Sequence, residues 1–475
     1  MNLIKGHGLK SWLAILGMAL LAGCVRFQSK PLVPEQNAVR LESRSLTNAA
    51  LKTFLENNLH REIADWPHPL WDFDMLTLAA FYYHPSLEVA RAQWQVARAG
   101  IKTAGERPNP TLSVIPGYSM NPAAMESPWL PAINLDIPIE TAGKRGKRMS
   151  QAEHLSEVAR LNVATAAWQV RSGVRSSLID SAAAQQRVEL FQQQVALQQD
   201  ISGVFKQQAE VGAIATSELA TMRVAAQKAQ LDLINAQGDA TAARSHLAEA
   251  IGVPFAALDE VTFSFDPLNE SLCPTNLDAN EVRDVALRSR TDILGALAEY
   301  AASEDALRLE IARQYPDVHL NPGYQFDQGE HKWTLGISVE LPLLNHNQGP
   351  VAEAQAQREA SAAKFNALQA SVLAEIDRAI AACDVNGDNS AVLRSLVADS
   401  EKKRASAEAQ YKAGELERLE FLNAQLEAIT AKLVFLDGQS KLQQASAALE
   451  DAIQRPLSGT IFSAEISPAK KENTK

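Results

Sequence analysis

"TLSVIPGY" at residues 111–118 returns in altered form as "DVHLNPGY" at residues 317–324. Both stretches alternate apolar and polar side chains, the period of a strand with one face turned away from water. Both end on Pro-Gly-Tyr, and each is followed by a long run without proline. Those runs extend from Ile139 to Val253 and from Val351 to Arg455. They are rich in Ala, Leu, Gln and Glu, which favour helix, and lack the residue that breaks it.

The likeness of the two stretches spreads in both directions. Setting Leu87 on Ile293 pairs Ala90 with Ala296, Ala92 with Ala298, Arg107 with Arg313 and Pro110 with Pro316, without a gap. Trp94 then faces Tyr300. Further on, "AINLDIPI" matches "GISVELPL" with Pro138 on Pro342, Gly212 falls on Gly414, Glu218 on Glu420, and Pro254 on Pro456. One order of features kept over such a distance marks a duplicated unit. Each unit reads as a helix (about 75–106, then 281–314), a β-hairpin (109–140, then 316–344) and a long helical hairpin turning at Gly212 or Gly414, glycine being the usual residue past a helix end. Repeat 1 thus spans 75–254 and repeat 2 spans 281–456, joined by a linker over 255–280. Extensions cover 24–74 and 457–475. A helix from Ser150 to Glu210 would be roughly 90 Å long at ~1.5 Å per residue, the length of a coiled coil or conduit. Gly173, Gly203 and Gly238 interrupt the helical pattern.

Each strand sorts into two faces. Leu112, Val114, Pro116 and Tyr118 oppose Thr111, Ser113 and Gly117, with Ile115 out of pattern. Ile133, Leu135, Ile137 and Ile139 oppose Asn134, Asp136 and Glu140. In repeat 2, Val318, Leu320, Tyr324 and Phe326 oppose Asp317, His319, Asn321 and Gln325. Trp333, Leu335, Ile337, Val339, Leu341 and Leu343 oppose Thr334, Ser338 and Glu340. About ten residues is the length of a tilted strand crossing a bilayer, and Tyr118, Trp129, Tyr324 and Trp333 near the hairpin tips suit an interfacial girdle. Four strands cannot close a barrel, so several chains must contribute, and three would supply twelve. The plainer alternative is a four-stranded sheet packed on helices.

The chain has 475 residues, enough for about three domains. Its net charge of −11 argues against nucleic acid as a partner. Lys5 and Lys10 precede an apolar run from Trp12 to Ala22, too short to span a membrane and sized for a signal peptide (residues 1–23). Leu21-Ala22-Gly23-Cys24 resembles a lipoprotein cleavage box, which would make Cys24 a lipidated first residue. Val25, where inner-membrane retention would place Asp, favours the outer membrane. Cys273 and Cys383 make no disulfide framework on spacing, and read as buried or inert thiols. No later segment is apolar enough for a transmembrane helix.

Together the lipoprotein box, the duplicated helix–hairpin–helix–helix unit and the glycine-marked turns followed by an acidic residue resemble the TolC-like outer-membrane efflux proteins, over about residues 75–456. "LDIPIETAGKRGKRMSQAE" (135–153) looks like the CzcC-like heavy-metal branch. The resemblance implies a mainly α protein with a membrane β-barrel: a homotrimer whose 12-stranded barrel sits in the outer membrane lipid and continues as an α-helical tunnel through the periplasm. It also implies a periplasmic adaptor and an inner-membrane pump, RND-type or an ABC exporter, as partners. On it, Gly212, Thr216, Glu218, Gly414, Glu417 and Glu420 fall at the periplasmic tip that meets the adaptor. Asn423 stands where relatives carry another acid.

These tip carboxylates, with Glu415, could gather cations at a narrow pore, or simply be solvated residues favoured by the helix dipole. Lys144, Arg145, Lys147 and Arg148 could meet lipid phosphates or serve a structural helix start. The nine histidines form no HxxxH or His–Cys pairing, so neither a resident metal nor a cofactor is expected. "DVNGDNS" (384–390) fails as a calcium loop, with its glycine and terminal acid misplaced. Catalytic and nucleotide-binding signatures are missing after the signal. The chain reads as an exit duct rather than an enzyme. A type I secretion duct and a periplasmic coiled-coil scaffold lipoprotein remain as alternatives.

Overall fold

The computed structural model describes residues 27–120, 127–259, 261–264, 273, 278–327 and 329–457. Cys24 and its signal lie outside the described residues, as do most of the loop after Tyr118, much of the inter-repeat linker and nearly all of the C-terminal tail. Residues up to Arg44 form a unit of their own. Its one described element is helix α1 (Pro34–Glu42), which starts on proline and buries no side chain.

The second unit opens with α2 (Ala49–Leu59), capped by Asn48 through the Ala50 N–H. The two-residue strand β1 (Leu70–Trp71) then leads into α3 (Phe73–Tyr83). The single helix expected over 75–106 is in fact two, because α4 (Pro85–Ala104) begins afresh after a break at His84. Proline at 85 disfavours the helical conformation at 84, and His84 is extended (φ −68°, ψ 125°). The equivalent helix of repeat 2 breaks at Arg290 between α7 (Ala279–Ser289) and α8 (Thr291–Ala312), with no proline present. There the Arg290 guanidinium is buried, donating to the Ala452 carbonyl at 2.7 Å and pairing with Asp292 and Glu375, so tertiary contacts hold the break.

Between these lie strands β2 (Thr111–Ile115) and β3 (Ala132–Ile139), helices α5 (Lys144–Glu210) and α6 (Thr216–Ile251), and the short strand β4 (Thr262–Phe263), which pairs in parallel with β1. Repeat 2 continues from α8 with β5 (Val318–Asp327), β6 (Glu330–Val339), α9 (Gln348–Ala413) and α10 (Arg418–Ile453). Helix α5, expected from Ser150, starts at Lys144 and runs unbroken for 67 residues through Gly173 and Gly203, about 100 Å. Gly238 likewise interrupts nothing in α6.

The helix lengths explain the duplication. Helix α6 covers only 36 of the residues of α5, and α3 and α4 (11 and 20 residues) cover the rest toward the sheet. In repeat 2 the same division holds, with α10 (36 residues) and then α7 and α8 flanking the 66 residues of α9. The main core forms where these partners change over: Leu76, Leu87, Val174, Leu178, Leu247 and Ile251 are all buried there, together with Leu51 and Leu55 of α2. A second cluster holds Ile293, Val372, Ile376, Leu449 and Ile453. Along the hairpins many of the buried residues are small, among them Ala183, Ala184, Ala229, Ala236, Ala428 and Ala431, which lets the helices approach closely.

The cysteine expectation was wrong. Cys273 and Cys383 form a disulfide with their Cα atoms 5.4 Å apart, linking the inter-repeat segment to the middle of α9. Spacing of 110 residues conceals the pairing, which only the folded chain brings about.

Candidate functional site: a two-faced sheet and two helical tips

The two hairpins lie side by side in one antiparallel sheet of order β2-β3-β5-β6. Only β5 and β6 reach the ten residues expected; β2 has five and β3 eight. The reason lies in the register. Ile115 pairs with Ala132, which brings Pro116 opposite Pro131, and neither can donate to the ladder. Pairing resumes beyond them, where Gly117 and Leu130 exchange hydrogen bonds and Tyr118 bridges to Trp129.

The glycines of the two Pro-Gly-Tyr triplets both make room. A Cβ on Gly117 would stand 2.6 Å from the Leu130 carbonyl oxygen. One on Gly323 would stand 2.5 Å from Asn134 Oδ1 and 2.7 Å from Thr334 Oγ1. Backbone cannot yield as a side-chain tip can, so Gly117 is the more constrained of the two.

No helix of the chain packs across the sheet among the described residues. The apolar face is open: Leu112 is 64% exposed, Trp333 81%, Leu335 73% and Ile337 68%. The alternative of a sheet packed on helices is thereby removed. The aromatic residues expected at an interface meet as two cross-strand pairs at matching places, Tyr118 with Trp129 (rings 5.2 Å apart) and Tyr324 with Trp333 (5.0 Å).

The other face is polar and most of its charges are paired. Asp317 accepts from Lys144 Nζ at 2.7 Å and from the Thr141 N–H at 2.9 Å. Glu140 is gripped by both terminal nitrogens of Arg148. His319 Nδ1 lies 2.9 and 3.1 Å from the two carboxylate oxygens of Asp136. Of the basic cluster, Arg145 donates to the Gly105 carbonyl (2.6 Å) and Arg148 Nε to that of Ala104 (3.3 Å), satisfying the end of α4. Lys144, Arg145 and Arg148 are therefore committed to the fold at the start of α5.

At the opposite ends of the long helices the two turns share one geometry. Gly212 (φ 73°) and Gly414 (φ 77°) adopt the left-handed conformation that glycine takes without strain. In each turn the next N–H reaches back five residues, Ala213 to Gln208 and Glu415 to Gln410, closing the helix end. Thr216 begins α6, Glu417 is the N-cap of α10, and Glu218 and Glu420 sit in first turns. All are exposed, and among the described residues no ion pair engages Glu218, Glu415, Glu417 or Glu420.

Sequence reasoning missed two features of the second tip. Tyr411 and Phe421 stack across it with centroids 5.1 Å apart. Behind them Lys432, Glu401, Arg404, Glu408 and Lys412 form a chain of ion pairs at 2.6–3.0 Å. The i, i+3 and i, i+4 spacing along α9 was the available signal. No group of three or more metal-ligating side chains occurs among the described residues, and no helix there is long and apolar enough to cross a membrane.

Known proteins show the same plan. The outer membrane efflux protein family matches the chain twice, over residues 80–253 and 282–454. The cobalt-zinc-cadmium resistance protein CzcC of Cupriavidus metallidurans is 23% identical over 373 residues, covering 78% of this chain and 87% of CzcC. A membrane protein from Pseudomonas aeruginosa superposes with a TM-score of 0.66 at 18% identity, over 90% of this chain and 99% of that one. The outer membrane protein VceC of Vibrio cholerae gives 0.65 at 17% identity, over 81% and 97%. A duplicated unit matched in both copies, on the same mainly helical fold, places this chain in the outer membrane efflux protein family, whose members are channels and not enzymes.

Proposed function

We propose that the chain is the exit duct of a tripartite efflux system, a homotrimer that passively conducts heavy-metal cations from an inner-membrane pump and periplasmic adaptor across the outer membrane. The observation that carries this reading is the sheet: four strands, one exposed apolar face and two unpaired edges. Lipid tolerates such a sheet only when it is closed. Strand directions alternate from β2 to β6, so β6 of one copy can pair antiparallel with β2 of the next. An eight-stranded barrel is filled by its own side chains, whereas twelve strands leave a lumen. Three copies are thus the fewest that make a duct.

Similarity to a cobalt-zinc-cadmium resistance protein supports cations as the cargo. Acylated Cys24 would add a lipid anchor, Tyr118, Trp129, Tyr324 and Trp333 would line the membrane interface, and the tips around Gly212 and Gly414 would meet the adaptor. Deleting the gene should lower tolerance to divalent metals, and the wild-type chain should restore it. Gly414→Pro should not, while still forming trimers, because proline cannot adopt φ 77°. Loss of drug or protein export with metal tolerance intact would overturn the cation cargo. Loss of trimers in Gly414→Pro would remove Gly414 from the tip.

A further inference from the structure

We propose that His319, oriented by Asp136, is a transient contact for divalent transition-metal cations in the wall of the lumen. The inference rests on the duct reading, which turns the polar face of the sheet inward. His319 follows the start of β5, and Asp136 reaches it diagonally from β3. The β3–β5 ladder skips Leu135 and Asp136, which stand opposite Pro322 and Asn321, and Pro322 has no N–H to give. That local gap leaves the Asp136 carboxylate free to turn toward the imidazole.

The geometry is the one that prepares an imidazole for a metal. With Nδ1–H donated to the carboxylate, the lone pair resides on Nε2. No partner engages Nε2 among the described residues. Both side chains are accessible, at 37% for His319 and 40% for Asp136, so a hydrated ion can reach them.

Among the carboxylates of β3 and β5, charge marks out Asp136. Along β3, β5 and their ends, Asp317 is matched by Lys144, Glu140 by Arg148 and Asp327 by Lys332. Asp136 has only the imidazole. A cation bound at His319 Nε2 is therefore balanced across the ring by a carboxylate that no lysine or arginine neutralises.

One imidazole beside one carboxylate suits Zn²⁺, Co²⁺, Ni²⁺ or Cu²⁺, whereas Mg²⁺ and Ca²⁺ prefer all-oxygen shells. A single ligating nitrogen, with no group of three or more metal-ligating side chains among the described residues, makes the site weak. Weakness suits a conduit, since an ion must leave each site as readily as it enters.

The test is single-channel conductance of the full-length protein in planar bilayers, titrated with NiCl₂ and, separately, MgCl₂. Each variant's current is normalised to its own metal-free value. Ni²⁺ should reduce the wild-type current at concentrations where Mg²⁺ does not. His319→Gln should raise the half-blocking Ni²⁺ concentration by about tenfold or more, and Asp136→Asn should raise it less. Equal block by Ni²⁺ and Mg²⁺ in the wild type overturns the proposal without recourse to a variant, and so does undiminished Ni²⁺ block in His319→Gln. No conductance from any preparation would overturn the duct itself, a distinguishable failure that removes this inference with it.

Discussion

Replacing Glu450 by alanine should destabilise the protein by about 3–5 kcal/mol, the cost of leaving a buried charge without its partner. Glu450 is 1% exposed on α10 and accepts from Arg171 at 3.0 Å and from Arg175, both on α5. Its other oxygen accepts from the Leu457 N–H at 3.0 Å. Arg171 also lies over the rings of Phe73 (5.0 Å) and Trp168 (4.9 Å). Without Glu450, the two buried guanidinium groups lose the carboxylate that engages both of them where repeat 2 closes against repeat 1. Only the weaker attraction of Asp451 and, for Arg171, Asp74 is left.

The same cluster sets a pH dependence. Burial pushes the Glu450 carboxyl up, but the charges of Arg175 and Arg171 and the hydrogen bonds it accepts hold it below the ordinary carboxylate range. A depressed folded-state pKa means stability that is fully present above the unfolded value, about 4.3, and lost as pH falls through the folded one. Asp451 has the opposite sign: burial raises it despite hydrogen bonds from Ser172 and Trp168, so protonation there favours the folded state. Thermal unfolding of the wild type, followed by circular dichroism, should show an acid limb below about pH 4. Glu450→Ala should lower the midpoint at neutral pH and shrink that limb. An unchanged midpoint would mean the arginines find other partners.

Breaking the Cys273–Cys383 bond should cost about 5 kcal/mol, the loop-closure entropy for a link spanning 110 residues. Cys383 is buried among Val372, Ile376 and Ala379, and Cys273 packs onto that cluster from between the repeats. Such a bond fits an oxidising compartment like the periplasm. Cys273→Ser, which leaves the buried Cys383 as a small apolar residue, should melt well below the wild type. Reductant should lower the wild-type midpoint and leave the variant unmoved. A variant that melts with the wild type would show the bond to be dispensable.

The fold was legible where local chemistry and long-range structure agree. Alternation in the two Pro-Gly-Tyr strands, the proline-free runs and the paired glycines each state a backbone requirement in contiguous sequence. Legibility failed where a requirement is met by distant parts of the chain. Arg290 breaks a helix through contacts with Ala452 and Glu375. The gap between β2 and its bridge follows from Pro116 meeting Pro131, which needs the register to be known. At the matching junctions, the repeats use different means to one end. Gly252 (φ 83°) admits the His84 backbone, where a Cβ would meet His84 Cα at 3.0 Å, whereas Gln454 accepts from the Thr291 N–H and hydroxyl. The Asp136–His319 pair, on different strands, was invisible as a motif for the same reason.

The central claim is that three of these four-stranded sheets close one barrel. Electron cryomicroscopy of the full-length protein in lipid nanodiscs tests it directly. The account predicts a threefold axis through a twelve-stranded barrel, with β6 of each copy paired to β2 of the next. A monomer, or a sheet whose β2 and β6 edges stay unpaired in lipid, would contradict it.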